Sequence, residues 1–253
     1  MINLKSKKEI ETMAAGGKIL AGVLEEVRRA AKEGMSLLEL DALASQLIKK
    51  SGAEPAFLGY RPEGADKPYP ATICASVNEV VVHGVPTKYV LKKGDVLKID
   101  VGLGYGGLFV DTATTVMIEP VTEMARRLVK ATEESLGIAM REAKPGRHLE
   151  DIGFAVNKFV SRNRFKVVRS LTGHGIGKEF HEEPVIYNFG VKGRGPVLAP
   201  GMVMAIEPIT SAGSDKIIQL KDESYATADG SISAHFEHTV AITEKGPVIL
   251  TAR

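Results

Sequence analysis

The sequence predicts a mixed α/β (α+β) fold in a single domain that spans residues 1–253, and three observations support this prediction. Helical periodicity alternates along the chain with short apolar stretches of strand length. The order helix, helix, hairpin is followed by helix, helix, strands, and this coarse repeat indicates a pseudo-two-fold body. No low-complexity segment and no evident linker divides the chain.

Four helices are predicted from the spacing of the apolar residues. Apolar side chains recur at helical spacing across 7–32, between charged residues. A second helix over 37–50 opens on a capping-box pattern, in which Ser36 is followed three residues later by Glu39. The same periodicity returns in the second half of the chain and predicts helices at 121–143 and 149–163.

Short apolar stretches between the helices predict strands. The clearest is a hairpin over 95–118, whose two strands flank a glycine-rich turn at 102–107. This hairpin places Asp100 and Asp111 on neighbouring strands. The segment 52–70 combines Gly, Pro and charge and predicts a loop. Further strands are predicted at 72–77, 80–82, 167–171, 197–198, 202–209, 233–243 and 248–250.

The composition limits the classes of function that remain. Hydrophobic residues make up 44% and charged residues 25% of the chain, which excludes a disordered or fibrous protein. A net charge of +2 gives no support for stable nucleic-acid or acidic-membrane binding. Cys74 is the single cysteine, which favours a reducing compartment. With no secretory segment and no run of about 18 apolar residues, a cytoplasmic protein without a membrane partner is expected.

Five side chains of metal-ligating type lie in strand-like or glycine-flanked segments: Asp100, Asp111, His174, Glu207 and Glu237. Four carboxylates and one imidazole suit two divalent ions such as cobalt, manganese, iron or zinc, because carboxylates can bridge the ions and offset their charge. A lone acid in a strand is usually a turn or edge residue, and burying it without a partner is costly. Four such acids are best explained together, by a catalytic metal centre.

The segment 173–184, GHGIGKEFHEEP, carries two histidines among glycines that allow a close approach to a crowded centre. It is not a phosphate-binding loop, because no Ser or Thr follows Lys178. It is not the helical zinc-protease motif either, because position 185 is not histidine and Pro184 opposes a helix. The run 102–107 fits a dinucleotide fingerprint poorly and is better interpreted as a hairpin turn.

Five separated motifs, in order, resemble those of the type I methionine aminopeptidases. They are NEVVVHGVP at 78–86, IDV at 99–101 with DTA at 111–113, GHGIG at 173–177 with FHEEP at 180–184, IEP at 206–208 and FEHT at 236–239. The similarity runs from the first helix to residue 251. It implies the bacterial form of the family and the pita-bread fold, in which helices cover a curved antiparallel sheet.

The resemblance implies a role for each member of the site. The ligands of two divalent ions would be Asp100, Asp111, His174, Glu207 and Glu237. Asp111 and Glu237 would bridge the ions, and Glu207 would take the proton of the attacking water. His83 would contact the scissile nitrogen, and His181 would steady the oxyanion or the next carbonyl.

A methionine pocket and a second ion site are also implied by the resemblance. The substrate-binding residues would be His83, His181, Cys74, Tyr60, Tyr69 and Phe180. Taken alone, Cys74 is equally well interpreted as a small buried residue. Backbone oxygens of Asn78 and Val80, with Ser233, would hold a monovalent cation, Na⁺ or K⁺.

Some features lie outside these motifs. The segment 61–68 is an insertion relative to the family pattern, is expected to be exposed, and would alter the rim of the pocket. The chain has no tryptophan. His148 is expected to be exposed before a helix. His235 and His238 are expected on the strand face opposite Glu237, with His238 as a partner of the metal centre.

The implied activity is metal-dependent removal of the N-terminal methionine from peptides and nascent chains, with a small second residue favoured. A monomer with at most transient ribosome contact is expected. The alternative within the fold is an Xaa-Pro aminopeptidase or prolidase, which usually carries a large N-terminal domain, whereas 99 residues precede Asp100. A non-catalytic, ribosome-associated binding homologue is the other alternative, although all five ligands are present.

Overall fold

The computed structural model describes residues 2–61 and 66–252 of the chain. Its four helices are α1 (Lys7–Ala30), α2 (Leu37–Lys50), α3 (Glu123–Glu142) and α4 (Leu149–Arg162). The four predicted helices are therefore confirmed, with ends that differ by two residues or fewer. Within the expected exposed loop at 61–68, residues 62–65 lie outside the described residues.

Helices α1 and α2 each begin at a capping box. The Ser36 hydroxyl accepts a hydrogen bond from the Glu39 backbone N–H, and the Glu39 carboxylate accepts one from the Ser36 N–H. Ser6 and Glu9 form the same pair at the start of α1. Each box satisfies two backbone donors that the first helical turn leaves without partners. Among the described helices, none combines the length and apolar character that a membrane span requires.

Fifteen strands are found in the described residues, and all of their pairings are antiparallel. They are β1 (Glu54–Pro55), β2 (Ile73–Val77), β3 (Val80–Val82), β4 (Val96–Tyr105), β5 (Leu108–Met117), β6 (Lys166–Val167), β7 (Thr172–Gly175), β8 (Glu182–Tyr187), β9 (Val203–Ile206), β10 (Ile209–Ser211), β11 (Ile217–Gln219), β12 (Tyr225–Thr227), β13 (Ser233–His235), β14 (Glu237–Thr243) and β15 (Gly246–Ile249).

Nine strands form one large sheet in the order β1-β4-β5-β14-β9-β7-β8, with β15 paired to β14 and β2 paired to β4. Two three-stranded sheets, β13-β10-β6 and β11-β12-β3, accompany it. Helices α1 and α2 bury their apolar faces on the β2–β4–β5 side, and α3 and α4 bury theirs on the β9–β13–β14 side. A helix pair thus covers strands in each half of the chain, as the repeat in the sequence predicted.

The predicted hairpin is confirmed, but its turn is shorter than expected. Strand β4 continues to Tyr105, and the turn consists of Gly106 and Gly107, both at positive φ. Gly102 and Gly104 lie inside strand β4 and are not turn residues. A Cβ atom on Gly102 would lie 2.7 Å from the Phe180 ring, so a larger residue at this position would clash with that ring.

Other strand predictions needed correction. Strands β1, β7, β8, β11 and β12 were not predicted. The predicted strand 167–171 contributes only to β6, and 197–198 forms only a bridge, from Val197 to His148. The predicted strand 202–209 divides into β9 and β10 at Glu207, which precedes Pro208. The predicted strand 233–243 divides at Phe236. At both breaks the chain passes between the large sheet and the β13-β10-β6 sheet, a crossing that single-strand periodicity does not reveal.

Two glycines of α1 give a matched test of this packing. A Cβ atom on Gly17 would lie 2.2 Å from the Leu250 carbonyl oxygen, whereas nothing lies within 4 Å of a Cβ atom on Gly22. Gly17→Ala should therefore lower the free energy of unfolding by about 3 kcal/mol, or the thermal midpoint by roughly 6 to 12 °C. Gly22→Ala should raise stability by about 0.5 to 1 kcal/mol. Equal midpoints for the two variants would contradict the close α1 packing.

Candidate metal centre

Strand pairing places the five candidate ligands on one face of the large sheet. Ala113 pairs with both Asp100 and Glu237, so these two acids lie in one row across three strands. Ala205 pairs with His174 on one side and with Thr239 on the other, and these three residues form the next row across the sheet. The remaining ligands, Asp111 and Glu207, lie two residues from Ala113 and Ala205. Because residues two apart share a face, the register brings all five together.

The distances within this cluster fit a metal site. One ligand atom each from Asp111, His174 and Glu237 lie within 4.8 Å of one another. His174 Nε2 also lies 3.9 Å from Glu207 Oε1. His174 Nδ1 lies 2.9 Å from the Gly175 carbonyl oxygen, so this nitrogen is the donor and Nε2 keeps its lone pair for a ligand bond.

The acids are buried beside one another, and within residues 2–61 and 66–252 none of them forms an ion pair with a lysine or an arginine. Burial, with repulsion from Asp111, raises the pKa of Asp100, Glu207 and Glu237 well above the usual range. Burial also raises the pKa of Asp111 to about 7. Desolvation lowers the pKa of His174 to about 4, so its imidazole is neutral near pH 7.

Buried atoms without partners support the same interpretation. Among the described residues, Asp100 Oδ1, Glu237 Oε1 and His235 Nε2 are buried and have no hydrogen-bond partner. Such atoms are rare in folded proteins and call for an ion or another ligand. Because oxygen and imidazole donors surround an excess of negative charge, the residues fit divalent metal ions.

His235 was assigned to the wrong face in the sequence analysis. Its Nε2 lies 3.5 Å from Glu207 Oε2 and 3.9 Å from Glu237 Oε2, on the same side as the ligands. The spacing of two residues from Glu237 was the available signal, because alternate residues of an extended chain share a face. His238 does lie on the other face, where Nδ1 is 3.0 Å from Thr251 Oγ1. His148 starts α4 and is partly buried rather than exposed.

An aromatic wall stands beside the cluster. The Phe180 ring lies 5.6 Å from the His174 ring and 5.5 Å from the Tyr60 ring. Tyr60 Oη lies 2.7 Å from Nδ1 of His181, so two predicted substrate residues are joined directly. Phe57, which the sequence analysis did not select, packs edge-on against Phe180 at 5.3 Å. It lies in the segment interpreted as a loop, where no periodicity marks a buried ring.

Cys74 and Tyr69 lie at the buried end of this wall. Cys74 pairs with Asp100 across β2 and β4, and burial raises the pKa of its thiol well above the usual value. The thiol is therefore neutral and suits an apolar pocket rather than a nucleophile. Tyr69 Oη donates to the carbonyl oxygens of Ile73 and Gly84, each at 3.0 Å. These bonds hold the tyrosine ring in a fixed position.

His83 follows β3 in a left-handed conformation with φ of 59°. Its ring packs edge-on against Tyr225 at 5.8 Å, and its side chain is exposed. Desolvation, together with the His174 and His83 rings, lowers the pKa of His181 to about 3. The two predicted non-ligand histidines therefore lie near the same centre.

The predicted monovalent cation site contains a residue that the sequence analysis missed. Ser233 Oγ donates to the carbonyl oxygens of Asn78, at 3.1 Å, and Val80, at 3.3 Å, so the three predicted residues do converge. Lys98 Nζ, however, also donates to the Asn78 oxygen, at 2.7 Å. A lysine within the apolar strand β4 was the signal in the sequence.

The metal-free protein should lose stability as the pH rises above about 6.5, where the histidines of the unfolded chain are already neutral. Unfolded carboxyls ionise near pH 4, whereas folded Asp111 keeps its proton to about pH 7 and Asp100, Glu207 and Glu237 keep theirs longer. The folded state then binds more protons, so the free energy of unfolding falls by up to about 1.4 kcal/mol per pH unit for each retained proton.

Thermal unfolding in chelator at each pH measures this effect. Glu237→Gln should make the fall shallower, because it removes one of the retained protons. Excess Mn²⁺ should reverse the sign, because ligands must be deprotonated to bind metal. A metal-free midpoint that rises over this range would contradict the buried acidic cluster.

Comparison with known proteins gives this centre its context. The model of metallopeptidase family M24 matches residues 11–244. Methionine aminopeptidase 1 of Bacillus subtilis is 43% identical over 252 residues, covering 99% of each chain. The crystal structure of methionine aminopeptidase from Thermotoga maritima superposes with a TM-score of 0.96 at 42% identity, over 100% of both chains.

The prolidase of Pyrococcus furiosus is a more distant structural neighbour. It superposes with a TM-score of 0.77 at 24% identity, and the match covers 99% of this chain but 65% of the prolidase. At that identity the likeness shows a shared fold alone. The curled antiparallel sheet with four helices is the predicted pita-bread fold. This chain belongs to metallopeptidase family M24 and, within it, to the methionine aminopeptidases.

Proposed function

We propose that this protein is a metal-dependent hydrolase that removes the N-terminal methionine from peptides and nascent proteins. The observation that carries the proposal is the set of four acids and one histidine on one sheet face, beside an aromatic wall. Family membership and the full-length likeness to methionine aminopeptidases support the same conclusion.

Divalent metal use follows from the family and from the cluster of candidate ligands. We propose further that residues 1–253 form one catalytic domain that holds two ions, of cobalt, manganese, iron or zinc. The ligands would be Asp100, Asp111, His174, Glu207 and Glu237, with Asp111 and Glu237 shared between the ions. When bound, such ions lower the pKa of a water molecule and polarise the scissile carbonyl.

Glu207 is the residue that we assign to proton transfer. It lies where the chain crosses between two sheets, and its side chain is 11% exposed, so it can reach both the centre and the substrate. In this role Glu207 takes the proton of the attacking water and delivers it to the departing amine nitrogen.

His181 is assigned to the substrate carbonyl. If the Tyr60 hydroxyl donates to Nδ1 across the 2.7 Å contact, the neutral ring carries its proton on Nε2. The lowered pKa of His181 keeps this ring neutral, so it acts as a hydrogen-bond donor without adding charge beside the metal ligands. His83 would contact the scissile nitrogen.

The aromatic wall is assigned to the methionine side chain. A flexible thioether packs well against ring edges, and Phe180, Tyr60, Tyr69 and Phe57 present such edges, with neutral Cys74 at the buried end. A preference for a small residue in the second position is part of the proposal. The protein is also proposed to act as a cytoplasmic monomer, with only transient contact to the ribosome.

Three further expectations, the prolidase alternative, the non-catalytic homologue and the monovalent ion, have weaker support. The prolidase alternative is a fold likeness only, since the Pyrococcus furiosus prolidase is 24% identical and is covered to 65%, whereas the Bacillus subtilis methionine aminopeptidase is 43% identical over 99% of both chains. A non-catalytic homologue would be expected to lack ligands, whereas all five are present here. The Na⁺ or K⁺ ion implied at Asn78, Val80 and Ser233 has a competitor in Lys98.

Metal restoration tests the proposed activity directly. The protein is stripped with chelator, Co²⁺, Mn²⁺, Fe²⁺ or Zn²⁺ is restored in turn, and hydrolysis of Met-Ala-Ser is compared with hydrolysis of Ala-Pro-Ala. Release of methionine from the first peptide alone is expected, and only with metal. Glu237→Ala should abolish that release, because it removes a ligand. Cleavage of Ala-Pro-Ala would favour the prolidase alternative, and no cleavage of either peptide would reject the proposed enzyme.

Removal of one hydroxyl group tests the role of His181. Tyr60→Phe should lower kcat/KM for Met-Ala-Ser about 10-fold, or about 1.4 kcal/mol, because the imidazole loses the bond that orients it. Its thermal midpoint should be unchanged, because Tyr60 is only half-buried. Tyr69→Phe is the matched control, in which two structural bonds are lost and the midpoint falls. Full activity in Tyr60→Phe would remove the basis for the assignment.

A further inference from the structure

Lys98 is a charged residue in the interior of the protein. Its side chain is 1% exposed, and it lies on β4 two residues before Asp100, on the same face as the candidate ligands. Among the described residues, no carboxylate lies within 4.0 Å of its Nζ atom. A buried ammonium without an acidic partner requires other acceptors, because its desolvation is costly.

Backbone carbonyl oxygens provide those acceptors. Lys98 Nζ donates to the Asn78 carbonyl oxygen at 2.7 Å and has a long contact of 3.5 Å to the Val96 oxygen. The same Asn78 oxygen accepts from Ser233 twice, from the N–H and from Oγ, each at 3.1 Å. The Ser233 hydroxyl also donates to the Val80 oxygen at 3.3 Å. One oxygen thus joins β4, the turn before β3, and β13.

The local charges favour a cation at this position. The carboxylates of Glu79 and Asp95 lie near Lys98 and favour the charged form of its side chain, against the cost of burial. Asn78 itself is held at φ 53°, with its side chain bonded to Asp95 and to the backbone N–H of Val96. The turn therefore presents its carbonyl oxygen in one fixed direction, toward Nζ.

The same oxygens do not suit a separate Na⁺ or K⁺ ion. Such an ion would need the Asn78 and Val80 oxygens together with Ser233, and the Asn78 oxygen already accepts the ammonium of Lys98. Two positive charges on one carbonyl oxygen repel each other strongly where water is excluded. The residues therefore disagree with the monovalent ion that the family resemblance implies.

We propose that the Lys98 ammonium is the resident cation of this site and replaces a monovalent metal ion. The ammonium group holds the Asn78–Val80 turn next to Ser233, and unlike a bound metal ion it cannot dissociate into solvent. The turn leads through β3 to His83, and Ser233 begins the β13 strand that leads to His235 and Glu237. Lys98 is thus a positioning residue for both sides of the metal centre. This inference goes beyond the proposed function, and its stability test does not depend on that function.

The first experiment compares cations on the metal-free protein. Thermal midpoints are measured in chelator with NaCl, KCl or tetramethylammonium chloride at equal ionic strength. The wild-type protein should have the same midpoint in all three salts, because its cation is covalently attached. A wild-type midpoint that rises saturably with Na⁺ or K⁺, but not with tetramethylammonium, would overturn the proposal.

Variants at position 98 separate charge from packing. Lys98→Ala opens space at the carbonyl oxygens. In tetramethylammonium chloride its thermal midpoint should lie below that of the wild-type protein, and Na⁺ or K⁺ should restore at least half of this loss. Lys98→Met keeps most of the length of the side chain without the charge, so it still fills the space, and its midpoint should fall and stay low in every salt. Lys88→Ala, at an exposed lysine, is the matched control and should not respond. A folded Lys98→Ala that shows no selective recovery would overturn the proposal.

A kinetic readout tests the positioning role. In metal-loaded Lys98→Ala, KM for Met-Ala-Ser should decrease several-fold on addition of Na⁺ or K⁺, whereas the wild-type KM should not change. A general loss of stability would not produce this ion-selective change in KM. If Lys98→Ala does not fold, Lys98→Ser supplies a smaller polar side chain, and the wild-type comparison still decides between the two outcomes. Absence of all peptide cleavage would reject the proposed function but leave the stability result intact.

Discussion

The burial of four carboxylates beside one another is the constraint on which the rest of this structure depends. Acids on one sheet face repel each other when water is excluded, and their raised pKa values express that cost. A divalent cation converts the same repulsion into attraction. The antiparallel register is what makes the cluster possible, because Ala113 aligns Asp100 with Glu237 and Ala205 places His174 on the same face.

The fold places two of the candidate ligands at its sheet crossings. Glu207 lies where β9 passes into β10, and Glu237 lies just after Phe236, where β13 passes into β14. Pro208 helps to create the break, because it cannot donate a ladder hydrogen bond.

Two kinds of cation would balance the negative charge and the carbonyl oxygens in the protein interior: divalent metal ions and the ammonium group of Lys98. The ligand cluster depends on metal ions that exchange with solvent and bind better as the pH rises. The turn at Asn78 depends, in our proposal, on the ammonium of Lys98, which cannot leave. Desolvation keeps His174 and His181 neutral between these charges, so they supply lone pairs and hydrogen bonds without further repulsion.

Local patterns in the sequence determined the four helices, the hairpin and the five candidate ligands, because periodicity, capping boxes and acids in apolar strands are encoded by near neighbours. Only the tertiary structure decided that Gly102 admits the Phe180 ring, that His235 faces the ligands, and that Lys98 meets the Asn78 oxygen. Those contacts join segments far apart in the chain, through strand register and shared burial. No local pattern records them, so they follow from the fold as a whole.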